Sequence, residues 1–563
     1  MKNIIIVFER PDINPALTLQ SKLDNSDVWV FDPHLIDDLV AAGVQRYKYI
    51  ECELGLNIPR FVRNGRTEAL SIEYAVETDL QIAVPDAVDC YWQHLNWHFI
   101  QSTLQGYTRL WDRFLETSFD ETHFHILVQD APATYYTPSF LPAVMLMERM
   151  SARGIEFSGY THSSVENIHR LIPAQLNNLP GNFDYFTHLP TCIYDSNYYA
   201  AEIAAMSQKV LNFESQNWNV PFPVFENAGL RHDTAVLNEL APLLAQSIEL
   251  ATEAIETRLT NYFLGHIRTE MYARRQAVHM AKQYRAEMIF FHFLEHAFST
   301  CLPRKIILSN HDAGLHGPFL SFAKKHAVPV LMLPHAKIFN FPIPSSYPNI
   351  VALTHPIQGG VISTVEGKRV NTSTISFPES LSQSASPPKP LKQVGLLLNK
   401  FSGDGMTLVD TQNYLAGIRA IIDWCAQHSV SLKIRVKPGG TCIHWLANEL
   451  NLKLEDLFAS IQVTIVNFAH ECDICLMYDA PTSGAISFLQ NSIPILSTVT
   501  RYLCAEEANI ISAEIVQRAS LAETLEWLER FKRDSASLAL FRTQQFGRYA
   551  GHFSQSIPLR MFL

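Results

Sequence analysis

Two pieces of sequence decide the fold: Ser431-Leu-Lys-Ile-Arg-Val436 with Lys437-Pro-Gly-Gly440 behind it, and Asp473-Ile-Cys-Leu-Met477 leading into Asp479-Ala-Pro-Thr-Ser-Gly-Ala-Ile-Ser-Phe-Leu489. The short apolar runs read as strands, with a helix between them, a further strand at Ile461–Val466 and a last one at Ile493–Leu496. Apolar runs of this length, separated by helices, belong to a parallel sheet covered on both faces. The turn after Met477 opens a helix beside Thr482, Ser483 and Gly484. A helix N-terminus, with free N–H donors and the positive end of the dipole, suits an anion. Lys437, leaving the end of a neighbouring strand, adds a positive charge, so the stretch reads as a cradle for a nucleotide phosphate.

The same alternation extends on both sides. Val394–Leu398 reads as a strand, followed by the loop Asn399–Gly405 and a helix over Tyr414–His428. Asp404 lies in Ser402-Gly-Asp-Gly405, where the glycines permit close backbone approach to a base or ribose, or simply make a turn. Residues 378–392 are a Ser/Pro-rich linker. A second α/β unit therefore spans 393–520, and helical residues 521–563 follow it.

Residues 1–377 read as a first parallel-sheet unit, with runs at Asn3–Val7, Val28–Phe31, Leu80–Val84 and Phe124–Val128 between helical patterns. Asp130 follows the fourth run, at a carboxyl end of the kind where open α/β sheets place ligands. Residues 155–230 show broken patterns and read as irregular, and 237–298 as helical, with Leu240, Leu244, Ile248, Ala251, Ile255 and Leu259 on one face and a break at Gly265. Together they make an insertion over about 155–300, its basic residues Arg268, Arg274, Arg275 and Arg285 forming a solvated face. Then Lys305–Leu308, a helix over Leu315–His326 and Val328–Leu333 form a βαβ unit. Its loops carry His311, Asp312, His335 and Lys337 to one rim of the sheet. The alternative for His311 and Asp312 is capping of the helix that follows. Asp130 and Glu226, the latter in a Pro/Phe-rich loop, are alternative carboxylates.

At 563 residues the chain exceeds one core, and 47% hydrophobic with 18% charged residues is ordinary globular composition. A net charge of −11 and no basic stripe point away from nucleic acid. The opening apolar run is cut short by Glu9-Arg10-Pro11-Asp12, which does not suit a secretory signal, and no run reaches the ~18–20 apolar residues of a span. A cytoplasmic protein is expected, compatible with peripheral attachment to a membrane. Nine scattered cysteines read as free thiols. Cys472 and Cys475, the sole C-x-x-C, read as buried rather than metal-binding, and no metal site is expected.

Two Rossmann-like units around a linker, with the phosphate cradle in the second, resemble GT-B glycosyltransferases. The finer resemblance is to bacterial transferases using CMP-activated acidic sugars, chiefly Kdo transferases and more distantly sialyltransferases. It rests on Lys437-Pro438 at a strand end and on Thr482-Ser483 opening a helix that leads to Ser492-Ile-Pro-Ile-Leu496. Lys437 replaces the His frequent in such a Pro motif, and Gln490 stands where a donor-site acid is often found. The resemblance implies an α/β, GT-B-like fold with two Rossmann-like domains facing a cleft and a helical insertion in the N-terminal half. It implies that the terminal helices cross back to the first domain. The activity implied is sugar transfer, without cofactor or metal, from a nucleotide-sugar donor, CMP-Kdo or a related CMP-sugar, to a glycan or glycolipid acceptor of capsule or lipopolysaccharide. Lys437, Pro438, Gly439, Thr482, Ser483, Gly484, Lys337 and Asp404 would meet the donor. Asp312 would be the acidic catalyst, a base if the enzyme inverts and a nucleophile if it retains, with His311 tuning it and His335 orienting the leaving group. A CDP-glycerol or ribitol-phosphate transferase and a non-catalytic scaffold of the same shape are the alternatives.

Overall fold

The structure, a computed structural model, describes the chain apart from residues 1, 57–106, 118, 120, 130–140, 163–170, 177–180, 190–195, 215–221, 266, 310–315, 335–342, 344–348, 365–367, 378–380, 382–388, 400–410, 438–441, 480–481 and 499–510. The fold class is α/β, built on parallel sheets.

The first sheet contains β1 (Lys2–Val7), β2 (Ser26–Val30), β3 (Tyr47–Tyr49), β4 (Thr122–Gln129) and β5 (Phe157–His162), all parallel, in the order β3-β2-β1-β4-β5. Ile4, Ile5, Ile6 and Val7 are all buried, so β1 is covered on both faces, as an interior strand of a parallel sheet must be. Its helices include α1 (Ile13–Gln20), α2 (Leu35–Ala41), α3 (Ile50–Leu54) and α4 (Leu141–Ala152).

The second sheet is β6 (Leu171–Gln175), β7 (Tyr185–His188), β8 (Val210–Phe213), β9 (Glu226–His232), β10 (Lys305–Ser309), β11 (Val330–Leu333), β12 (Ile350–Thr354) and, after the hairpin β13–β14 (Val361–Ser363 and Arg369–Asn371), β15 (Ser373–Thr374). Its order is β15-β12-β11-β10-β7-β8-β9-β6, parallel except for β6. Residues 1–377 thus carry two sheets where the sequence reading expected one. The stretch read as an irregular insertion supplies β5 to the first sheet and β6 to β9 to the second. Those strands are four to seven residues long and poor in alternation, and β6 holds Pro173, which a sheet accepts at an edge.

Between the first two sheets run α5 (Pro242–Leu264) and α6 (Glu270–Phe298), a helical hairpin broken at Gly265 as the periodicity predicts. Arg285 does not belong to a solvated face. Its side chain is 13% exposed and bridges Asp233 at 2.6 Å and Glu249 at 2.7 Å. Helix α7 (His316–His326) links β10 to β11.

The third sheet contains β16 (Gln393–Leu398), β17 (Ser431–Val436), β18 (Ile474–Tyr478), β19 (Ile495–Thr498) and β20 (Gln517–Ala519), all parallel, in the order β17-β16-β18-β19-β20. Its helices are α8 (Thr411–Gln427), α9 (Ile443–Leu450), α10 (Leu454–Gln462), α11 (Ile465–His470), α12 (Gly484–Gln490) and α13 (Leu521–Arg533). The strand expected at Ile461–Val466 is not formed; those residues end α10 and begin α11. Leu454, Leu457, Phe458 and Ile461 recur at steps of three, one and three, a helical face that outweighs the β-branched residues behind it. Cys472 and Cys475 are buried here, and burial pushes the Cys472 thiol up to about 12.

Helix α14 (Ser535–Ser554) closes the third unit: the Gln545 side chain bonds both the N–H and the C=O of Ile495, at 2.7 and 2.8 Å. The chain then returns to the second sheet. Ile557 bridges Ile375, Leu559 is fully buried among Tyr185, Ile307 and Leu331, and the Tyr185 hydroxyl donates to the Leu563 carbonyl at 3.1 Å.

Candidate active site

In an open parallel sheet, ligands sit beyond the carboxyl ends of the strands, where the strand order reverses. The third sheet reverses between β16 and β18, so its crevice lies between Asn399 and Asp479. Asp479 is 2% exposed, its N–H donates to the Thr498 carbonyl, and its φ is +62°. A left-handed backbone on a residue other than glycine is tolerated by Asp but still costs energy. Tyr414 and Tyr478 pack below it with ring centroids 5.5 Å apart. Burial first, then the Asp479 charge, pushes the Tyr414 phenol up. The Tyr478 hydroxyl donates to the Asn413 carbonyl at 3.1 Å, over Gly417, where a Cβ would stand 1.9 Å from that oxygen.

The predicted cradle opens the helix after β18, beside this crevice. Helix α12 is only seven residues long, and its first N–H groups are not bare. Gly484 N–H donates to Thr482 Oγ1 at 3.3 Å, and the N–H groups of Ala485 and Ile486 turn back to the carbonyls of Thr482 and Ser483. Ser483 is the member of the trio whose hydroxyl makes no hydrogen bond among the described residues. Lys437, exposed, leaves the carboxyl end of β17 next to β16, its N–H on the Leu398 carbonyl.

The first sheet presents its own carboxyl ends to this rim. Asp37, at the start of α2, accepts the N–H groups of Ile443 and His444 at 3.0 and 3.1 Å and holds the His444 ring at 2.8 Å. Glu51, in α3, accepts the N–H of Thr411 at 3.1 Å. Tyr49 packs edge-on against Trp445. Carboxylates from one unit thus cap α9 and α8 of the other, using the N-terminal donors that a substrate anion would otherwise find.

The second sheet's carboxyl rim closes another side. After β12, Ile357 enters the core formed by Met477, Ala485 and Ile486, and its carbonyl accepts the N–H of Ser512 at 3.1 Å. The first and second units meet through Glu148, which takes the N–H and hydroxyl of Thr269 at 2.6 and 2.7 Å.

Of the residues chosen from sequence, Lys437, Thr482, Ser483 and Gly484 lie on the third sheet's rim. Glu226 starts β9, paired with Leu211 near the start of β8, so it stands at the amino ends of its sheet, away from the Ser309 and Leu333 rim. Asp130, His311, Asp312, His335, Lys337, Asp404, Pro438 and Gly439 lie outside the described residues.

Sequence reasoning passed over a group on the first sheet's rim. Glu9 follows β1, Asp32 follows β2, and His162 ends β5. Asp12, 1% exposed, accepts the N–H groups of Phe8 and Glu9 on one oxygen, both at 2.9 Å, and lies 2.6 Å from His162 Nε2 through the other. Burial, then the charges of Asp12 and Asp32, pushes the Glu9 carboxyl up to about 8. Burial and the charges of Asp32 and Asp37 likewise push up the thiol of Cys442, which lies in the third unit, so this group faces the same junction. The strand-end rule that singled out Asp130 applies equally to Glu9 and Asp32.

No family model matches this chain, and no curated protein does. Among solved structures it is similar to the glycosyltransferase SnogD from Streptomyces nogalater, with 12% identity over 67% of this chain and 96% of that one and a TM-score of 0.33. It is also similar to a sucrose-phosphate synthase from Thermosynechococcus elongatus, with 11% identity, 66% and 94% coverage and a TM-score of 0.34. A third is the lipopolysaccharide outer core galactosyltransferase WaaB, with 9% identity, 66% and 98% coverage and a TM-score of 0.29. Scores this low establish neither family nor activity, and the architecture described above rests on the sheets themselves.

Proposed function

We propose that this protein is a glycosyltransferase that holds a nucleotide-activated sugar at the third sheet's order reversal and passes the sugar to a glycan or glycolipid acceptor. The observation that carries the reading is the meeting of three carboxyl rims at one junction, with the Asn399–Asp479 crevice at its base. An enzyme joining two large polar substrates needs separate walls for donor and acceptor around one reacting centre, and this arrangement provides them.

Within this reading the leaving phosphate is met by Lys437 and the hydroxyls of Thr482 and Ser483, with Pro438, Gly439, Gly484, Lys337 and Asp404 completing the donor side. Neutralising that charge is the first requirement of the transition state. Asp312 acts as the acidic catalyst, with His311 and His335 beside it. Our choice of donor is a CMP-activated acidic sugar of the Kdo type, for surface polysaccharide synthesis. Among the described residues no helix is long and apolar enough to cross a membrane.

Thermal stabilisation by CMP, CDP, UDP, GDP and ADP tests the proposal. A ligand at ~100 times its dissociation constant adds ~2.7 kcal/mol. A rise in Tm with CMP that Lys437→Ala and Ser483→Ala abolish supports the CMP-sugar reading. A rise with CDP alone moves the assignment to a glycerol- or ribitol-phosphate donor, and one with UDP or GDP keeps the transferase and discards the CMP-sugar. No rise with any of the five sinks the proposal and leaves a non-catalytic scaffold.

A further inference from the structure

We propose that Glu9 takes the proton of the acceptor hydroxyl during transfer, and that Asp12 and His162 position it. This rests on the transferase reading above and deepens it: the base's part, given there to Asp312, passes to Glu9 on the first sheet.

The placement comes from topology. The first sheet reverses its order between β1 and β4, so its crevice lies between the ends of those strands, and Glu9 is the residue that leaves β1 there. Glu9 is half-buried, accessible to a substrate yet screened from bulk water. Its backbone is fixed from two sides. Asp12 Oδ2 holds the N–H groups of Phe8 and Glu9, while Asp12 Oδ1 holds His162 on β5, two strands away. A buried carboxylate using both oxygens in this way locks the turn that carries Glu9. The charges of Asp12 from its own turn and of Asp32 from the end of β2 act on Glu9, and His162 on β5, paired with Gln129 at the end of β4, holds Asp12. Across the junction is Cys442, which the charges of Asp32 and of Asp37, on α2 of the first unit, both reach.

The chemistry balances without a further reactant. The acceptor O–H bond breaks, and its proton goes to the Glu9 carboxylate. The acceptor oxygen forms a bond to the anomeric carbon with the electron pair this frees. The bond from that carbon to its leaving oxygen breaks, and that pair stays on the leaving oxygen. A general base works best when its pKa lies near the working pH, and Glu9, pushed up to about 8, is poised there.

The test is release of CMP from CMP-Kdo and CMP-N-acetylneuraminic acid by the full chain, with water as acceptor, from about pH 6 to about pH 9. Wild-type turnover should rise with pH, reach half its plateau near pH 8 and still be approaching that plateau at about pH 9. Glu9→Gln should lower it by ~100-fold or more, with nucleotide stabilisation unchanged. Glu9→Asp, which keeps the carboxylate, should retain part of the activity. Asp12→Asn removes the charge that holds the Glu9 proton, so the rise should move to lower pH, which loss of a merely structural contact would not do. Glu9→Gln with wild-type turnover and pH profile overturns the role of Glu9 and leaves the transferase reading standing. Wild-type protein that releases no CMP from either donor, and gains no Tm from any of the five nucleotides, overturns both.

Discussion

Glu9 ties the pH dependence of folding to the proposed chemistry. Its carboxyl titrates near 8 in the folded chain and near ~4.3 when unfolded. Between those values the folded state keeps a proton that the unfolded state releases, so stability is fully present below the lower value and falls as pH rises towards the upper one. Glu9→Gln should flatten that fall, which urea midpoints at about pH 5 and about pH 8 would show; an equal slope in both proteins would contradict it. Asp479 makes a second residue-level prediction. Its φ of +62° suits glycine, so Asp479→Gly should be more stable than Asp479→Ala by about 1 kcal/mol in denaturant unfolding. Gly417→Ala would drive a Cβ into the Tyr478 hydroxyl, 1.9 Å away, and should cost about 1–3 kcal/mol. Neither position stood out in the sequence. One is a strand-end aspartate and the other a helical glycine, and what makes each special is a φ angle or a neighbour 61 residues away in the chain.

At the scale of elements, the helix starts of the third unit divide into two kinds. Helices α8 and α9 are capped by Glu51 and Asp37 from another sheet, whereas α12 is capped locally by Thr482. Asp37→Ala should remove about 1–2 kcal/mol by leaving the Ile443 and His444 donors without their carboxylate, while Asp37→Asn keeps an acceptor and should lose less. Thermal midpoints of the two variants check this; equal losses would mean that charge, not capping, is what Asp37 supplies. The sequence marked the helix after Met477 correctly but could not show that its N–H groups fold back on Thr482 and Ser483. Local hydroxyls and tight turns compete with a ligand for those donors, and only coordinates show which partner holds them.

Across the whole molecule, the segment after α14 connects the third unit to the second. Leu559 is fully buried in the second sheet's core, some 250 residues from Ile307 in sequence. Leu559→Ala should therefore cost about 2–5 kcal/mol, read as a lower urea midpoint, and an unchanged midpoint would show that this return adds nothing to stability. The three units are held by polar contacts at their rims, Asp37, Glu51 and Glu148 among them, and by small apolar inserts such as Ile357.

Legible in the sequence were the α/β class, β1, β2 and β4 of the first sheet, β16 to β19 of the third, the helical hairpin with its break at Gly265, and the rim positions of Lys437 and of Thr482 to Gly484. Those features are local: apolar runs, helical spacing and turn residues act over a few positions. Tertiary structure alone decided that residues 1–377 form two sheets, because β6 to β9 are too short and too mixed in composition to be read without their partners. It also decided that the carboxyl ends of all three sheets meet, and that Glu9, Asp12, Asp32 and His162 become one group. Residues 150 positions apart, such as Asp12 and His162, share a site only after strand order has been fixed by packing, and burial then sets how tightly Glu9 holds its proton.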